Sequence, residues 1–221
     1  MTKALQFLYS SNTYFYISCL HKNHDRDFIY KPRGFNSIKE HDEVLKERWN
    51  NVVPEDGIVF SLGDTVFGHD AVSQLLDVFK NYNFKELYLS PGNHISGWKQ
   101  LYYKTLWHIF KMKDQEVYPL YHKVNDDKTV IFMPNYYEIF IGYQMICLSH
   151  YPILSHNNQN RESWAISGHT HSNFEFTRKT YPRGKRVEVC VESFGYPVSH
   201  EEIASIMETK TLDNWDHHSA S

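Results

Sequence analysis

Five short segments of the chain place histidine, aspartate or asparagine directly after a predicted strand. The segments are Cys19-Leu20-His21, Gly63-Asp64, Gly92-Asn93-His94, Ser149-His150 and Gly168-His169-Thr170-His171. Imidazole, thiolate, carboxylate and amide oxygen groups are the side chains that hold divalent metal ions in proteins. Because functional groups of open α/β sheets gather at the carboxyl ends of strands, we expect these side chains to meet. Together they supply seven candidate ligands for two metal ions and leave His94 for proton transfer.

Two of these segments are more specific than the other three. A single histidine after a strand is more often a structural residue than a ligand. In Gly168-His169-Thr170-His171, one intervening residue would direct both imidazoles to the same side of an extended backbone. The glycine before them would permit close backbone approach. In Pro91-Gly92-Asn93-His94, the asparagine can offer its carbonyl oxygen to a metal. These two patterns carry most of the prediction of a metal site.

The elements that must position these segments alternate between strand and helix at first and are mostly strands later. Strands are predicted at Tyr14–Ser18, Ile58–Leu62, Leu87–Leu89, Val130–Met133, Tyr137–Ile141, Met145–Ser149, Trp164–Ser167, Phe174–Thr177 and Val187–Val191. Helices are predicted from a capping box at Ser37-Ile38-Lys39-Glu40 to about Asn51, at Ala71–Tyr82, at Tyr102–Lys111 and from a capping box at Ser199-His200-Glu201-Glu202 to about Glu208. This order predicts two sheets packed together with helices outside them.

The composition is that of one ordinary globular domain. The chain has 221 residues, of which 41% are hydrophobic and 22% charged. A single domain is expected over residues 1–211, and the polar residues 212–221 are predicted to be a frayed tail. No stretch approaches the roughly 20 apolar residues that span a bilayer, and the N-terminal residues are too interrupted for a secretory signal. A cytoplasmic protein without membrane partners is therefore expected.

Charge and cysteine content argue against two further classes. The net charge of −3 gives no strong nucleic-acid signal. Three cysteines are too few and too scattered for a disulfide framework, and Cys147 and Cys190 are predicted to be small buried hydrophobic residues. One local basic cluster consists of Arg178, Lys179, Arg183, Lys185 and Arg186. It is interpreted either as the solvated tip of a hairpin or as a contact for substrate phosphate.

In their order along the chain, the five segments resemble those of the calcineurin-like binuclear metallophosphoesterases, nearest to the small bacterial and phage members. The resemblance covers the chain from about Tyr14 to Glu202. Ser18-Cys19-Leu20-His21-Lys22-Asn23-His24 is similar to the Ser-Asp-x-His-x-x-His segment of those members. Supporting matches are Arg33-Gly34-Phe35-Asn36-Ser37, Arg48-Trp49-Asn50 and Tyr196-Pro197-Val198-Ser199. The resemblance implies an α/β (α+β) fold, a four-layer α/β/β/α sandwich of two mixed β-sheets flanked by helices.

The resemblance also implies a role for each residue of the five segments. The first metal would be held by Cys19, His21, Asp64 and His171, and the second by Asp64 as the bridge with Asn93, His150 and His169. A hydroxide between two divalent transition-metal ions (Mn, Fe, Zn or Ni) would attack phosphorus. His94 would protonate the departing oxygen as general acid. The expected substrate is a small phosphodiester or phosphomonoester, with a nucleotide as one candidate. His24 would either face this substrate or cap its own loop.

Two positions depart from the family's pattern. The family has aspartate where this chain has Cys19, and an acidic residue where it has Ile95. A thiolate can ligate zinc or iron, so Cys19 would bias the first metal site toward these ions and away from manganese or magnesium. In the opposite interpretation, Cys19 is only a small buried residue and the first site is weak or empty. Ile95 cannot orient the catalytic histidine as a carboxylate would.

These departures keep two alternatives to a metal-dependent phosphoesterase open. One is a catalytically weakened or inactive relative that serves as a binding scaffold, since a softened ligand set is what such a protein would carry. The other is a nuclease of the same fold, in which the basic cluster guides a strand of nucleic acid. Metal content distinguishes the first alternative, and the salt dependence of activity on polynucleotides distinguishes the second. The sequence makes no prediction of oligomeric state.

Overall fold

The computed structural model describes residues 4–8, 13–111, 116–172 and 184–212. Its strands are β1 (Leu5–Phe7), β2 (Tyr14–Ile17), β3 (Ile58–Ser61), β4 (Glu86–Leu89), β5 (Leu120–Lys123), β6 (Thr129–Phe132), β7 (Tyr136–Ile141), β8 (Gln144–Ser149), β9 (Trp164–Ser167), β10 (Arg186–Glu188) and β11 (Val198–Ser199). Its helices are α1 (Asp27–Tyr30), α2 (Ile38–Val52), α3 (Ala71–Asn81), α4 (Ser96–Phe110), α5 (Val191–Phe194) and α6 (His200–Glu208). The predicted strand Phe174–Thr177, most of the basic cluster and nearly all of the predicted tail lie outside the described residues.

Two mixed sheets form the centre of the fold. The first sheet has the strand order β11-β2-β3-β4-β6-β5, and the second has the order β1-β7-β8-β9-β10. In the first sheet β2, β3, β4 and β6 run parallel, while β11 and β5 are antiparallel edge strands. In the second sheet β8, β9 and β10 run parallel. The predicted α/β (α+β) class, with two mixed sheets and flanking helices, is confirmed.

The side chains of the first sheet alternate between two apolar layers. In β2, Phe15 and Ile17 belong to a cluster shared with helices α2, α3 and α4, whereas Tyr14 and Tyr16 belong to a cluster shared with the second sheet. Strands β3, β4 and β6 divide in the same way. Because both faces of these strands are covered, they read as continuous apolar runs rather than as alternating ones.

The second sheet also contributes one face to the layer between the sheets. In β8, Ile146 and Leu148 belong to that layer, and Cys147 points to the opposite face. The Cys147 Sγ lies 3.8 Å from the backbone oxygen of Asn157, in the loop that follows β8. Cys147 is fully buried there, as predicted.

The largest difference from the predicted elements is the start of α4. This helix begins at Ser96, well before the predicted start at Tyr102. Gly97 in its first turn is a poor helix former, which obscures the pattern in the sequence. A side chain at Gly97 would lie 2.6 Å from the Ala71 side chain, so the glycine lets α4 approach α3 closely. The packing of the two helices therefore overrides the local propensity.

The predicted strand Val187–Val191 is wrong in its second half. The strand is Arg186–Glu188, and Val191 instead begins the short helix α5. A short apolar run does not distinguish a buried strand from a buried helical turn. The short elements β1, β5, α1, α5 and β11 are also absent from the prediction.

The two predicted capping boxes differ in outcome. At α6 the box is complete: the Ser199 hydroxyl accepts from the Glu202 backbone N–H at 3.2 Å, and the Glu202 carboxylate accepts from the Ser199 N–H at 3.0 Å. At α2 the Ser37 hydroxyl accepts from the Glu40 N–H at 3.2 Å, but the Glu40 carboxylate accepts from the Asn36 N–H instead. Within the described residues, no helix has the length and apolar character needed to cross a membrane.

Candidate metal centre

The five predicted segments all lie at the carboxyl ends of strands that are neighbours in the fold. Cys19 and His21 follow β2, Asp64 follows β3, and Asn93 and His94 follow β4. These three strands are adjacent and parallel in the first sheet. In the second sheet, His150 follows β8, and His169 and His171 follow the adjacent parallel strand β9. Contacts between the two sets of loops bring all these side chains to one edge of the sandwich.

The backbone of this edge is unusual. Cys19, His21, Asp64, His169 and His171 all have positive φ, from 53° to 78°. Such conformations cost on the order of 1–3 kcal/mol each for residues other than glycine, and they concentrate at functional sites. Backbone hydrogen bonds hold them: the Cys19 N–H donates to Gly63 O at 3.0 Å, and the His21 N–H donates to Asp64 O at 2.9 Å. The loops after β2 and β3 are thus joined directly.

Two glycines allow the loops to approach each other. A side chain at Gly92 would clash with the carboxylate and backbone of Asp64, and one at Gly168 would clash with the side chain of Ser18. The close backbone approach predicted at Gly168 is therefore confirmed. The reason predicted for the orientation of His169 and His171 is wrong, because these residues lie in a left-handed loop rather than on an extended strand.

Cys19, His21 and His171 form one group of ligand atoms, called here the first half-site. Their ligand atoms all lie within 4.8 Å of one another, and the His21 Nε2 lies 2.9 Å from the His171 Nε2. Cys19 and His21 are buried, while His171 is half-buried. The His169 backbone N–H donates to the Cys19 Sγ at 3.2 Å. This thiol is therefore part of the cluster and not an isolated core residue.

Two charged residues orient the first half-site. The His171 Nδ1 lies 2.9 Å from the Glu192 Oε1, and the same oxygen accepts from the Arg33 Nε at 2.8 Å. The Arg33 guanidinium also donates to the backbone oxygens of Cys19 at 2.8 Å and Leu20 at 3.1 Å. Its side chain is 2% exposed. Arg33 and Glu192 therefore fix both the loop that carries Cys19 and the ring of His171.

Asn93, His150 and His169 form the second half-site. The Asn93 Oδ1 lies 2.9 Å from the His150 Nε2 and 3.0 Å from the His169 Nδ1. The His150 Nδ1 lies 2.8 Å from the Leu62 backbone oxygen, and this carbonyl can only accept a hydrogen bond. In the neutral ring the proton is then on Nδ1, and the Nε2 lone pair points at the Asn93 oxygen. Two acceptors face each other there.

The carboxylate of Asp64 lies between the two half-sites. Its Oδ1 accepts from the backbone N–H groups of Asn93 at 2.8 Å and His94 at 2.9 Å. Its Oδ2 lies 3.9 Å from the His21 Nε2 and 3.5 Å from the His150 Nε2. One carboxylate oxygen therefore faces a histidine of each half-site, which is the position expected of a bridging ligand.

His94 and His24 lie beside the first half-site. One ring nitrogen of His94 lies within 4.8 Å of the ligand atoms of His21 and Asp64. The His94 ring packs edge-on against Phe67 with centroids 4.7 Å apart. His24 stacks on Phe67 at 3.7 Å, and its Nδ1 lies 3.2 Å from the His21 Nδ1. His24 is 5% exposed. It is thus placed to orient His21 rather than to face a substrate.

Protonation within the first half-site is controlled by its mutual contacts. Burial disfavours the thiolate of Cys19, but interactions with Cys190, His171 and His21 outweigh it and hold the pKa of this thiol well below its usual value. Burial disfavours the imidazolium of His171, but contacts with Cys19 and Glu192 raise the pKa of this ring to about 10. In the absence of other ligands, these opposite pKa shifts favour a thiolate–imidazolium pair of Cys19 and His171.

The donor set fits divalent transition metals. Thiolate and imidazole groups in the first half-site suit zinc and iron, and the imidazole, amide oxygen and carboxylate groups of the second half-site suit a broader range of ions. The convergence of the His150 Nε2, the Asn93 Oδ1 and the Asp64 Oδ2 carries the fit, since acceptors that face each other are satisfied by a cation. These groups could hold a metal ion.

The structure brings all of the predicted site residues together, and it adds three that the sequence analysis did not assign. Arg33 and Glu192 orient the first half-site, although only Arg33 falls in a quoted motif, and Glu192 is separated from the ligands in sequence. Cys190 is buried, as predicted, but it is more than a small hydrophobic residue because its Sγ lies 3.8 Å from that of Cys19. Its place near the end of the predicted strand Val187–Val191 was the available signal.

Two residues of the basic cluster are described, and neither forms a free basic surface. Arg186 is 7% exposed and lies in β10. The Lys185 ammonium donates to the Met207 backbone oxygen at 2.7 Å. The solvated hairpin tip predicted for this cluster is therefore wrong at Arg186, which the sheet covers, and Arg178, Lys179 and Arg183 lie outside the described residues.

Comparisons with known proteins support the fold but name no activity. No family model matches the chain. An uncharacterized protein of Methanocaldococcus jannaschii is 27% identical over 197 residues, covering 87% of this chain and 89% of its own length. The gene 66 protein of Mycobacterium phage L5 is 27% identical over 213 residues, covering 89% of this chain and 94% of its own. A solved structure of a protein of unknown function from Aquifex aeolicus aligns with a TM-score of 0.55 and 20% identity, covering 87% of this chain and 98% of that one.

Proposed function

We propose that this protein is a phosphoesterase that uses two divalent transition-metal ions to hydrolyse a phosphodiester or a phosphomonoester. The observation that carries the proposal is the Asp64 Oδ2, which lies 3.9 Å from the His21 Nε2 and 3.5 Å from the His150 Nε2. A carboxylate shared by two sets of ligands supports a two-metal site, and such sites serve in-line displacement at phosphorus. The resemblance of the five segments to binuclear metallophosphoesterases supports the same reaction.

The residues of the chain divide the work as follows. Cys19, His21 and His171 would hold one ion, and Asn93, His150 and His169 the other, with Asp64 in contact with both. When bound, the ions would supply Lewis acidity toward the phosphoryl oxygens and a water of lowered pKa. Arg33 and Glu192 would keep the first set of ligands in register, as residues behind a metal site do.

His94 would donate a proton to the leaving oxygen. Its backbone N–H donates to the Asp64 Oδ1, which fixes the residue beside the shared carboxylate. Its ring is half-buried and packed edge-on against Phe67, so it has a defined orientation. Ile95, which follows it, is 39% exposed and supplies no carboxylate to the ring. Donation from His94 therefore depends on the imidazole alone.

A cleft beside the second half-site would receive the organic part of the ester. It has a volume of about 490 Å³ and is lined by residues that include Asn93, Ile95, Lys99, Tyr103 and Tyr151. This volume is within the range of small-molecule sites. The rings of Tyr103 and Tyr151 with the nearby Lys99 ammonium favour a substrate with a polar, planar substituent, and a nucleotide is one such substrate.

Metal counting combined with hydrolysis assays tests the proposal. The purified protein is supplied with manganese, zinc, iron or nickel, its metal content is measured, and hydrolysis of bis(p-nitrophenyl) phosphate and p-nitrophenyl phosphate is followed. We expect two ions per chain and turnover with at least one metal. His94→Asn is expected to lower kcat by about 10²–10⁴-fold, the usual contribution of a general acid, while keeping both ions.

The matched control is His108→Asn, because His108 is exposed on α4 away from the site. It should leave metal content and kcat unchanged. Two bound ions without hydrolysis of either ester would contradict the proposal and favour the binding scaffold. Fewer than one ion per chain after loading with each metal would contradict the metal centre itself.

A further inference from the structure

Cys190 lies directly behind Cys19, the thiol of the first half-site. The two Sγ atoms are 3.8 Å apart, and both residues are 0% exposed. They are separated by 171 positions in the chain. The contact is built by the fold: Ser18 and Cys190 form a parallel bridge, and the Ser18 N–H donates to the Val189 oxygen at 2.8 Å. The pair thus joins the end of β2 in the first sheet to the end of β10 in the second.

We propose that Cys19 and Cys190 are a dithiol pair that peroxide converts to a disulfide, which removes Cys19 from the metal centre. A disulfide needs an S–S distance of about 2.05 Å, so the sulfurs must approach by less than 2 Å from 3.8 Å. Side-chain rotation at two residues on paired backbones can supply this movement. The disulfide itself needs no metal, whereas its effect on activity rests on the proposed function.

The oxidation is balanced with a hydroperoxide as the oxidant. The Cys19 sulfur attacks the terminal peroxide oxygen, the O–O bond breaks, and the products are a sulfenic acid and an alcohol, or water when the oxidant is hydrogen peroxide. The Cys190 sulfur then attacks the Cys19 sulfur, the S–O bond breaks, and water leaves with the Cys190 proton. Two electrons pass from the two thiols to the peroxide. A dithiol reductant reverses the change by exchange.

Because Cys19 is buried, a small oxidant would have to reach it through the metal centre. The side chain of His171, whose ligand atom is within 4.8 Å of the Cys19 Sγ, is 29% exposed. Asn93 and His169 are also exposed at this edge. Hydrogen peroxide is little larger than water, so it can enter where a phosphoryl oxygen would. The Cys190 Sγ lies 3.8 Å from the Cys19 Sγ, which suits Cys190 to resolve an oxidised Cys19.

Peptide mapping tests the pair directly. Metal-free protein is treated with hydrogen peroxide, unreacted thiols are alkylated, and the peptides are analysed by mass spectrometry without reduction. We expect a cross-linked peptide containing Cys19 and Cys190, an intact mass lower by two hydrogens, and full reversal by dithiothreitol. Wild-type protein that instead carries sulfinic or sulfonic acid at Cys19 with Cys190 still alkylated would overturn the proposal. So would protein in which all three thiols remain unreacted.

Two variants sharpen the result. Cys147→Ser removes the third buried thiol, which lies on the outer face of the second sheet, and should leave the cross-link unchanged. Cys190→Ser should lose the cross-link and let Cys19 proceed irreversibly up the oxidation series. Cys190→Ala serves if the serine variant does not fold. A cross-link that includes Cys147 would overturn the proposal.

Repeating the oxidation with zinc-loaded protein separates this inference from the proposed function. Loading with zinc before peroxide should slow formation of the cross-link at least tenfold, because a ligated sulfur is not free to attack. A cross-link that forms equally fast with and without zinc would support the dithiol pair and count against Cys19 as a ligand. Slowed oxidation that ends in a Cys19 sulfinic acid would support ligation and overturn the disulfide.

Discussion

The two half-sites of the candidate metal centre orient their ligands by different means. In the first half-site, charged side chains control the ligands: Glu192 holds the His171 ring, Arg33 holds Glu192, and Cys19 pairs with His171. In the second half-site, neutral groups do this: the Leu62 carbonyl fixes His150. The Asn135 side chain also exchanges two hydrogen bonds with the Gly92 backbone, at 2.9 and 3.1 Å.

This difference has a consequence for metal binding. In the metal-free protein the first half-site is already satisfied by its own thiolate–imidazolium pair, so an ion must displace a proton there. In the second half-site the His150 Nε2 and Asn93 Oδ1 present lone pairs to each other, so an ion satisfies groups that are otherwise opposed. The first half-site should therefore select soft ions and respond to pH, while the second should bind more readily and less selectively.

Replacing the shared carboxylate of Asp64 should weaken metal binding at both half-sites. In Asp64→Asn the carbonyl oxygen can still accept from the Asn93 and His94 N–H groups, so the loop is kept. The amide NH₂ then replaces Oδ2 and faces His21 and His150 with a donor. We expect metal content to fall below one ion per chain and hydrolysis to fall by roughly 10³-fold, in the range of a lost electrostatic contact to the transition state.

Asp126→Asn is the matched control for this change, since Asp126 is fully exposed. It should leave both quantities unchanged. If Asp64→Asn kept two tightly bound ions, the carboxylate would not be shared, and the half-sites would be independent.

Weakening the charged support should affect the first half-site alone. Glu192→Gln keeps an oxygen for the His171 Nδ1 but removes the charge that faces the buried Arg33 guanidinium. We expect zinc affinity at the first half-site to fall by about 10–100-fold, the usual effect of a residue behind a metal ligand, with little change at the second. Competition with a zinc indicator measures both affinities.

Glu43→Gln on the exposed face of α2 is the control for general loss of charge. Equal losses of affinity at both half-sites in Glu192→Gln would mean that Glu192 acts on the whole fold and not on His171. Thermal unfolding of the metal-free variant should show lower stability in either case, since the buried arginine loses its partner, so the comparison of the two zinc affinities decides between them.

The ligands could be predicted from the sequence because each follows a strand within a few residues. A strand that is covered on both faces reads as an apolar run, and the polar residue that ends it stands out, as Asp64 does after β3. The division of the core into two layers follows from the same runs. These are local signals, and they place the ligands at strand ends without assigning the strands to sheets.

What supports the ligands was not predictable in the same way. Glu192 lies in a four-residue helix that reads as the end of a strand, and it reaches His171 only because β9 and β10 are neighbours. Cys190 meets Cys19 through pairing between residues at opposite ends of the chain. His169 and His171 adopt a left-handed backbone although neither is a glycine, so the residue types do not indicate this conformation. Each of these features depends on tertiary contacts.

The last expected effect is the pH dependence of the first half-site, which develops gradually with pH. The contacts of His171 with Cys19 and Glu192 raise the pKa of its ring to about 10, so this ring holds its proton at neutral pH. Cys19 adds no proton of its own, since its pKa is lowered and its sulfur is already a thiolate. Binding at the first half-site should therefore release one proton, and its affinity should rise about tenfold per pH unit from pH 7 toward 10.

Calorimetric titration with zinc in buffers of different ionisation enthalpy measures this proton directly. Above pH 10 the dependence should level off, because the imidazole of His171 has then lost its proton in the free protein as well. The second half-site should show a weaker dependence over this range, since its ligands Asn93, His150 and His169 include no thiolate that would stabilise an imidazolium. If both half-sites released one proton at pH 7.5, the thiolate–imidazolium pair would not explain the difference in metal binding between them.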